Sequence, residues 1–112
     1  MLKVFAFLTK REEIETRAFI EYYEKNHVPL VLSLAPTPTV YKRNYLLRGD
    51  EFNREDDTID FDVVTELVFA DRDAFVAWIE KLSVEAIGTD ERKFLDRSQT
   101  RAYVIEEHVT AG

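Results

Sequence analysis

The chain alternates between short apolar runs and longer stretches of helical periodicity. "LKVFAFL" (2–8) is apolar and rich in Val and Phe, as a buried strand would be. "KREEIETRAFIEYYEKN" (10–26) then repeats at helical spacing, with Thr16, Phe19, Tyr23 and Leu30 on one side and Glu13, Arg17, Glu21 and Glu24 elsewhere. Pro29 cannot continue an α-helix and Val28 is biased out of the α region, so the helix is predicted to end near His27. Pro29 would start a fresh turn through Leu34. "APTPT" (35–39) is a stiff connector, "VYKRNYLLR" (40–48) a strand, "GDEFNREDDTID" (49–60) an acidic loop and "FDVVTELVFA" (61–70) the clearest strand. Asp71 caps a second helix, "RDAFVAWIEKLS", with Phe75, Trp78, Ile79 and Leu82 at core spacing. Gly88 interrupts, and Thr89 or Asp90 is placed to cap a further short helix through Phe94 and Leu95. "QTRAYVIEEHV" (99–109) closes as a strand.

The order β-α-β-β-α-(α)-β is that of an α+β, ferredoxin-like fold, with helices on one face of a four-stranded antiparallel sheet. Residues 1–112 are read as one domain, without internal repeat. The strand at 61–70 tells more. One of its sides carries Phe61, Val63, Thr65, Leu67 and Phe69, and the other Asp62, Val64, Glu66 and Val68. The second side holds too much valine to face water, so a second layer is expected over it. In a short chain that layer is most simply a second copy, giving a two-fold homodimer of two sheets back to back. Asp62 and Glu66 would lie on this dimer side, bonded to the partner. A cavity for a small hydrophobic ligand would then lie between each sheet and its own helices.

Composition narrows the choices. With 112 residues, 46% hydrophobic and 33% charged, the chain can bury a core and is not of the disordered class. A net charge of -7 argues against nucleic acid, and three scattered glycines against a phosphate-cradling loop. Cysteine is absent, which excludes thiolate metal sites and fits a cytoplasmic location. Lys3 is followed by only five apolar residues before Thr9, which is no signal peptide, and no run reaches the roughly 20 residues of a membrane span. The two histidines, His27 and His108, have no companions at ligand spacing, so neither metal nor cofactor is expected. "RGD" (48–50) is read as coincidence, and the acidic loop as a solvated hairpin without regular ligand spacing.

Several pieces resemble a known family: the helix "FIEYYEKNHVPL", the strands "YKRNYL" and "FDVVTELVF", and the tail "DERKFLDRSQTRAYVIEE". Together they are similar to the EthD family of dimeric α+β-barrel proteins, named for a component of bacterial ethyl tert-butyl ether degradation. The most specific pieces are His-x-Pro-Leu at the helix end and Tyr-x-x-Asn on the strand. The resemblance implies the fold, the dimer and a neighbourhood of cofactor-free isomerases, polyketide cyclases and quinone-forming monooxygenases. It implies for His27 a place at the mouth of the cavity, with Pro29 following, and for Tyr41 and Asn44 the second-strand motif. Tyr45 stands where many members have histidine. Trp78 stands where related cyclases have tyrosine, and has no hydroxyl to give a phenolic proton.

Candidate chemistry centres on His27. A helix C-terminus favours imidazolium and an apolar cavity favours the neutral ring, a balance that suits a general acid or base. A structural C-cap is the other reading. Tyr22 and Tyr23 diverge by about 100° on an α-helix, and Tyr23 shares the face of His27; it is either a cavity residue or an aromatic core residue. Asn44 either donates to a developing enolate oxygen or satisfies a backbone group. The catalytic set is thus His27, Asn44 and Tyr23, with Phe5, Phe7, Tyr41, Tyr45, Leu67, Phe69 and Trp78 around the ligand. Two functions fit. One is a cofactor-free enzyme moving a proton on an aromatic, polyketide- or lactone-like compound (isomerase, cyclase or dehydratase), or using oxygen on it. The other is a non-catalytic binding protein for a hydrophobic intermediate in oxidative catabolism.

Overall fold

A computed structural model describes residues 1–54 and 59–112. Four strands form one antiparallel sheet: β1 (Leu2–Leu8), β2 (Val40–Tyr45), β3 (Val63–Phe69) and β4 (Arg101–Ile105), in the spatial order β2-β3-β1-β4. The helical segments are α1 (Thr16–Tyr22), a π-helical turn (Tyr23–His27), α2 (Val28–Leu34), α3 (Arg72–Leu82) and α4 (Glu85–Phe94). This is the α+β ferredoxin-like arrangement. Among the described residues, no helix is long and apolar enough to cross a membrane. Residues 55–58 of the expected acidic loop lie outside the described residues.

Register sorts the side chains. Val4 opposes Leu67 and Val104, Ala6 opposes Thr65 and Ala102, and Tyr41 opposes Leu67, so these share the face that the helices cover. Phe5 opposes Glu66 and Tyr103, Phe7 opposes Val64 and Arg101, and Asn44 opposes Val64, so these share the other face. The alternation expected along β3 holds for Val63, Thr65, Leu67 and Phe69, which are buried under the helices, but Phe61, expected with them, precedes the strand and packs on Phe7 of the other face. Two buried clusters form there. Phe19, Tyr23, Phe94 and Val63 dominate one, and Val4, Leu67 and Phe69 the other, with Phe75 and Trp78 packed against it. Each large apolar side chain so buried contributes about 1.5–3 kcal/mol.

The helical segments differ from expectation in three places. Residues 10–15 are not helical, because Lys10 bridges Leu95 and the Arg11 N–H donates to Phe94 O at 3.0 Å, tying this stretch to the end of α4. The helix does not stop at His27 either. It passes through the π turn, where the Val28 N–H donates to Tyr23 O five residues back, and resumes as α2 with Pro29 in its first turn. Proline has no N–H to leave unpaired where the ladder returns to α spacing, so it is tolerated there. His27 is therefore mid-helix, and neither the C-cap reading nor the helix-terminus argument applies to it. Third, α4 begins at Glu85 and runs through Gly88, so Asp90 is not a cap but a buried residue inside the helix.

Asp71 does cap α3, accepting from the Ala74 N–H at 2.8 Å. Asp62 and Glu66 find partners within their own chain. Asp62 is buried against Arg48 Nε at 2.8 Å and the Lys10 N–H at 2.9 Å, while Glu66 lies 3.5 Å from Lys3 Nζ.

Candidate functional site

The inner face of α3 does not close onto the sheet. None of its residues is fully buried, because Phe75, Trp78, Ile79 and Leu82 border a cavity of about 610 Å³ between sheet and helices. Its floor is Val4, Ala6, Thr65 and Leu67, and α2 contributes Val31. The volume falls in the usual range for small-molecule sites, as does an apolar wall with few polar groups. Those groups are Tyr23, His27, Tyr41, Thr65, Ser83, Glu91, Arg97 and Thr100, with Glu91 close enough to His27 to feel its charge.

His27 is only 6% exposed, and its ring packs edge-on against Tyr23 (centroids 5.1 Å apart) and tilted against Phe94 (5.1 Å). Its Nδ1 lies 2.9 Å from Asp90 Oδ2, and the Tyr22 hydroxyl donates to Asp90 Oδ1 at 2.6 Å. Tyr22 is pushed up to about 12, by burial first and then by the Asp90 carboxylate it faces. The Tyr23 hydroxyl meets the Thr65 hydroxyl at 2.8 Å; complete burial pushes it well above the ordinary phenol range. Burial pushes Tyr41, beside it, up to about 12. Both phenols are thus neutral donors at any physiological pH. Glu91 is raised by burial against the pull of His27 and Arg97, and its Oε1 is 3.4 Å from Arg97 Nε.

His27, Tyr23, Tyr41, Leu67 and Trp78 therefore come together on the cavity wall. The other expected residues do not. Phe5 and Phe7 are on the opposite face of the sheet, where Phe7 packs on Phe61 and Tyr103. The sequence places both around the ligand, and register with β3 overturns that: they alternate with Val4 and Ala6, which are the residues of β1 that face the helices. Asn44 is also on that face, its side-chain amide donating to Val64 O at 3.1 Å, so it cannot act with His27. Tyr45 faces the helices but at the end of β2, against Phe19, with its hydroxyl donating to Glu24. Phe69 stands behind Trp78 (centroids 5.4 Å apart), on the wall of a separate pocket of about 270 Å³ under the 36–39 connector.

Glu91 and Arg97 were missed, while Asp90 was read as a cap and Tyr22 as diverging from the face of His27. One signal for Asp90 was available: Ile87, Asp90 and Phe94 fall at i, i+3 and i+7, which puts a carboxylate on the apolar stripe of its helix. Among the described residues, no three His, Cys, Asp or Glu side chains are grouped to hold a metal ion.

The EthD domain model matches residues 11–98. The chain belongs to the EthD family. The fold of this EthD domain is similar to that of a crystal structure of an ethyl tert-butyl ether degradation (EthD) family protein from Bacillus halodurans. The two are 21% identical with a TM-score of 0.63, over 96% of this chain and 100% of the other. That likeness bears on the fold alone. No protein of curated function matches the chain.

Proposed function

We propose that this EthD domain is a cofactor-free enzyme that moves a proton on a small, mostly apolar carbonyl compound bound between the sheet and its helices. The observation that carries this reading is a nearly buried histidine on the wall of an apolar cavity, beside two phenols that stay neutral. His27 Nε2 takes a proton from a carbon next to the carbonyl, and the C–H electron pair becomes the enolate. The Tyr41 hydroxyl donates to the developing enolate oxygen, backed by Tyr23, whose own hydroxyl is bonded to Thr65 and Tyr41. When the carbonyl is conjugated with a C=C bond, His27 returns the proton at the far carbon of the dienolate and the net change is a double-bond isomerisation. When the enolate carbon instead closes on a second carbonyl, whose π pair becomes an alkoxide, His27 returns the proton to that oxygen and the net change is a cyclisation. Leu67 and Trp78 hold the apolar body of the ligand and exclude water.

The same reading includes a two-fold dimer through the other sheet face. It rests on Phe5, Phe7, Val64 and Val68 facing that way, beside Tyr103 at 52% exposure. A site in which the histidine only contacts a carried ligand is the competing reading, and one experiment separates the two. Ligands would be found from a panel of aromatic ketones, phenols and lactones by their effect on the fluorescence of Trp78, the chain's single tryptophan. Bound compounds would then be followed by NMR in D2O for deuterium uptake. Catalysis by His27 requires uptake well above buffer, reduced about 100-fold or more in His27→Ala with binding retained. Binding without uptake in the unaltered protein would favour the carrier.

A further inference from the structure

On the side of His27 away from the cavity, a hydrogen-bonded chain leads through Asp90 to Tyr22. The imidazole Nδ1 is 2.9 Å from Asp90 Oδ2, and Asp90 Oδ1 accepts the Tyr22 hydroxyl at 2.6 Å. His27 and Asp90 are 6% and 8% exposed, so the contact is sheltered from water. A carboxylate can only accept, which puts the hydrogen of this contact on Nδ1. In the neutral ring the lone pair is then on Nε2. Other charged or titratable groups surround the imidazole without fixing its tautomer. Glu91, paired to Arg97 at 3.4 Å, acts on it by charge, while Tyr23 meets it ring to ring and spends its hydroxyl on Thr65 and Tyr41.

The backbone explains how one helix supplies both ends of the chain. On an α-helix, residues five apart are separated by about 140°, and Tyr22 and His27 would face different neighbours. Here the π turn Tyr23–His27 intervenes, with its five-residue hydrogen bond from Val28 N–H to Tyr23 O. That wider turn carries residue i+5 round towards residue i, and both side chains reach the same carboxylate. Single π turns of this kind recur at functional sites.

We propose that Asp90, backed by Tyr22, is the positioning residue of the site: it holds His27 in the Nδ1–H tautomer with the Nε2 lone pair turned to the cavity. This rests on His27 being the acid–base group, but its test does not depend on turnover. In the 15N-histidine-labelled full chain, long-range 1H–15N correlation distinguishes protonated from bare ring nitrogens. His108→Gln assigns the two histidines, since His108 lies in the exposed C-terminal tail.

Neutral His27 is expected to show protonated Nδ1 and bare Nε2. Asp90→Asn, whose amide can donate to Nδ1, moves the hydrogen to Nε2. In the deuterium-uptake assay it lowers the rate of the bound complex roughly 100-fold or more with ligand affinity little changed. Tyr22→Phe keeps the tautomer and lowers the rate about 2- to 10-fold, the worth of one hydrogen bond. A purely structural Asp90 would lower stability without moving the ring hydrogen. Neutral His27 found with its hydrogen on Nε2 in the unaltered protein overturns the proposal, and needs no variant to fold. An unchanged tautomer in folded Asp90→Asn overturns it as well. If the tautomers are as stated but no compound takes up deuterium, the function proposed above fails while the role of Asp90 stands.

Discussion

The Tyr23 hydroxyl meets the Thr65 hydroxyl at 2.8 Å, which fastens the π turn carrying His27 to the middle of β3. Both residues are buried, Tyr23 at 2% exposure, so neither hydroxyl has water to fall back on. Tyr23→Phe leaves Thr65 short of a partner and is expected to cost about 1–3 kcal/mol in urea unfolding. Thr65→Val should cost a similar amount, and the double variant clearly less than the sum, with a coupling of about 0.5 kcal/mol or more. Strict additivity would show that the two hydroxyls do not depend on each other.

Asn44 gives a prediction of the opposite kind. Its amide is on the sheet face turned away from His27 and donates to Val64 O of the neighbouring strand. Asn44→Ala should change deuterium uptake less than twofold and stability by about 0.5 kcal/mol or less, as exposed substitutions do. A tenfold loss of uptake would mean that catalysis involves the other face, and the site would have to be redrawn.

The contrast between His27 and Asn44 marks how far the sequence could be read. The fold was legible because its patterns are local: alternation along residues 63–69, the Asp71 cap and the element order all survive in the structure. Strand facing was legible only where one side was plainly more apolar, as in β3. In β1 and β2 apolar and aromatic residues occupy both sides, and register with β3 was needed to send Phe5, Phe7 and Asn44 outward. The orienting pair Tyr22 and Asp90 was hidden by a wrong period. With α spacing assumed, the five-residue separation of Tyr22 and His27 reads as divergence, and a π turn leaves no sequence mark as clear as a cap. Pro29 even pointed the wrong way, towards a helix end.

Glu24 ties the outer end of β2 to the π turn, and its effect should follow pH. Arg43 donates to it through Nε at 2.9 Å and Nη2 at 2.7 Å, and Tyr45 adds a third bond. The guanidinium, foremost, holds the carboxyl below its ordinary value of 4.5. A carboxyl depressed in the folded state stabilises fully above its unfolded value and loses that contribution as pH falls through its folded value. Glu24→Gln should therefore unfold more easily than the unaltered protein at pH 7, by about 1 kcal/mol for a half-buried pair still reached by solvent. The difference should shrink as pH drops below 4.5, towards zero once Glu24 is protonated in the folded state. A gap constant from pH 7 to pH 3 would assign the loss to packing rather than charge.

The dimer reading is tested at Tyr103, exposed on the other sheet face with its ring 6.1 Å from that of Phe7. Tyr103→Glu puts a carboxylate where the partner sheet would lie, opposite Phe5 and near its strand neighbour Glu66. In sedimentation velocity the unaltered chain should run at twice 13.1 kDa and the variant at 13.1 kDa at micromolar concentration, with its circular dichroism unchanged. A monomeric unaltered chain would overturn the dimer.

Trp78 combines a role in binding with a cost in folding. Its indole lies against Phe69 and borders the cavity, yet its Nε1–H is buried without a partner among the described residues. An orphan donor of that kind costs about 1–3 kcal/mol, comparable with the apolar contact that a smaller ring would lose. Trp78→Phe should therefore leave stability within about 1 kcal/mol of the unaltered protein in urea unfolding followed by circular dichroism. Ligand affinity, measured by titration calorimetry because the variant has no tryptophan, should fall about 3- to 10-fold, because the shorter ring gives up wall area that the bound compound would touch. A loss of several kcal/mol in stability would show that the indole nitrogen is satisfied in solution. Unchanged affinity would mean that the ligand lies away from α3, against β1 and β4.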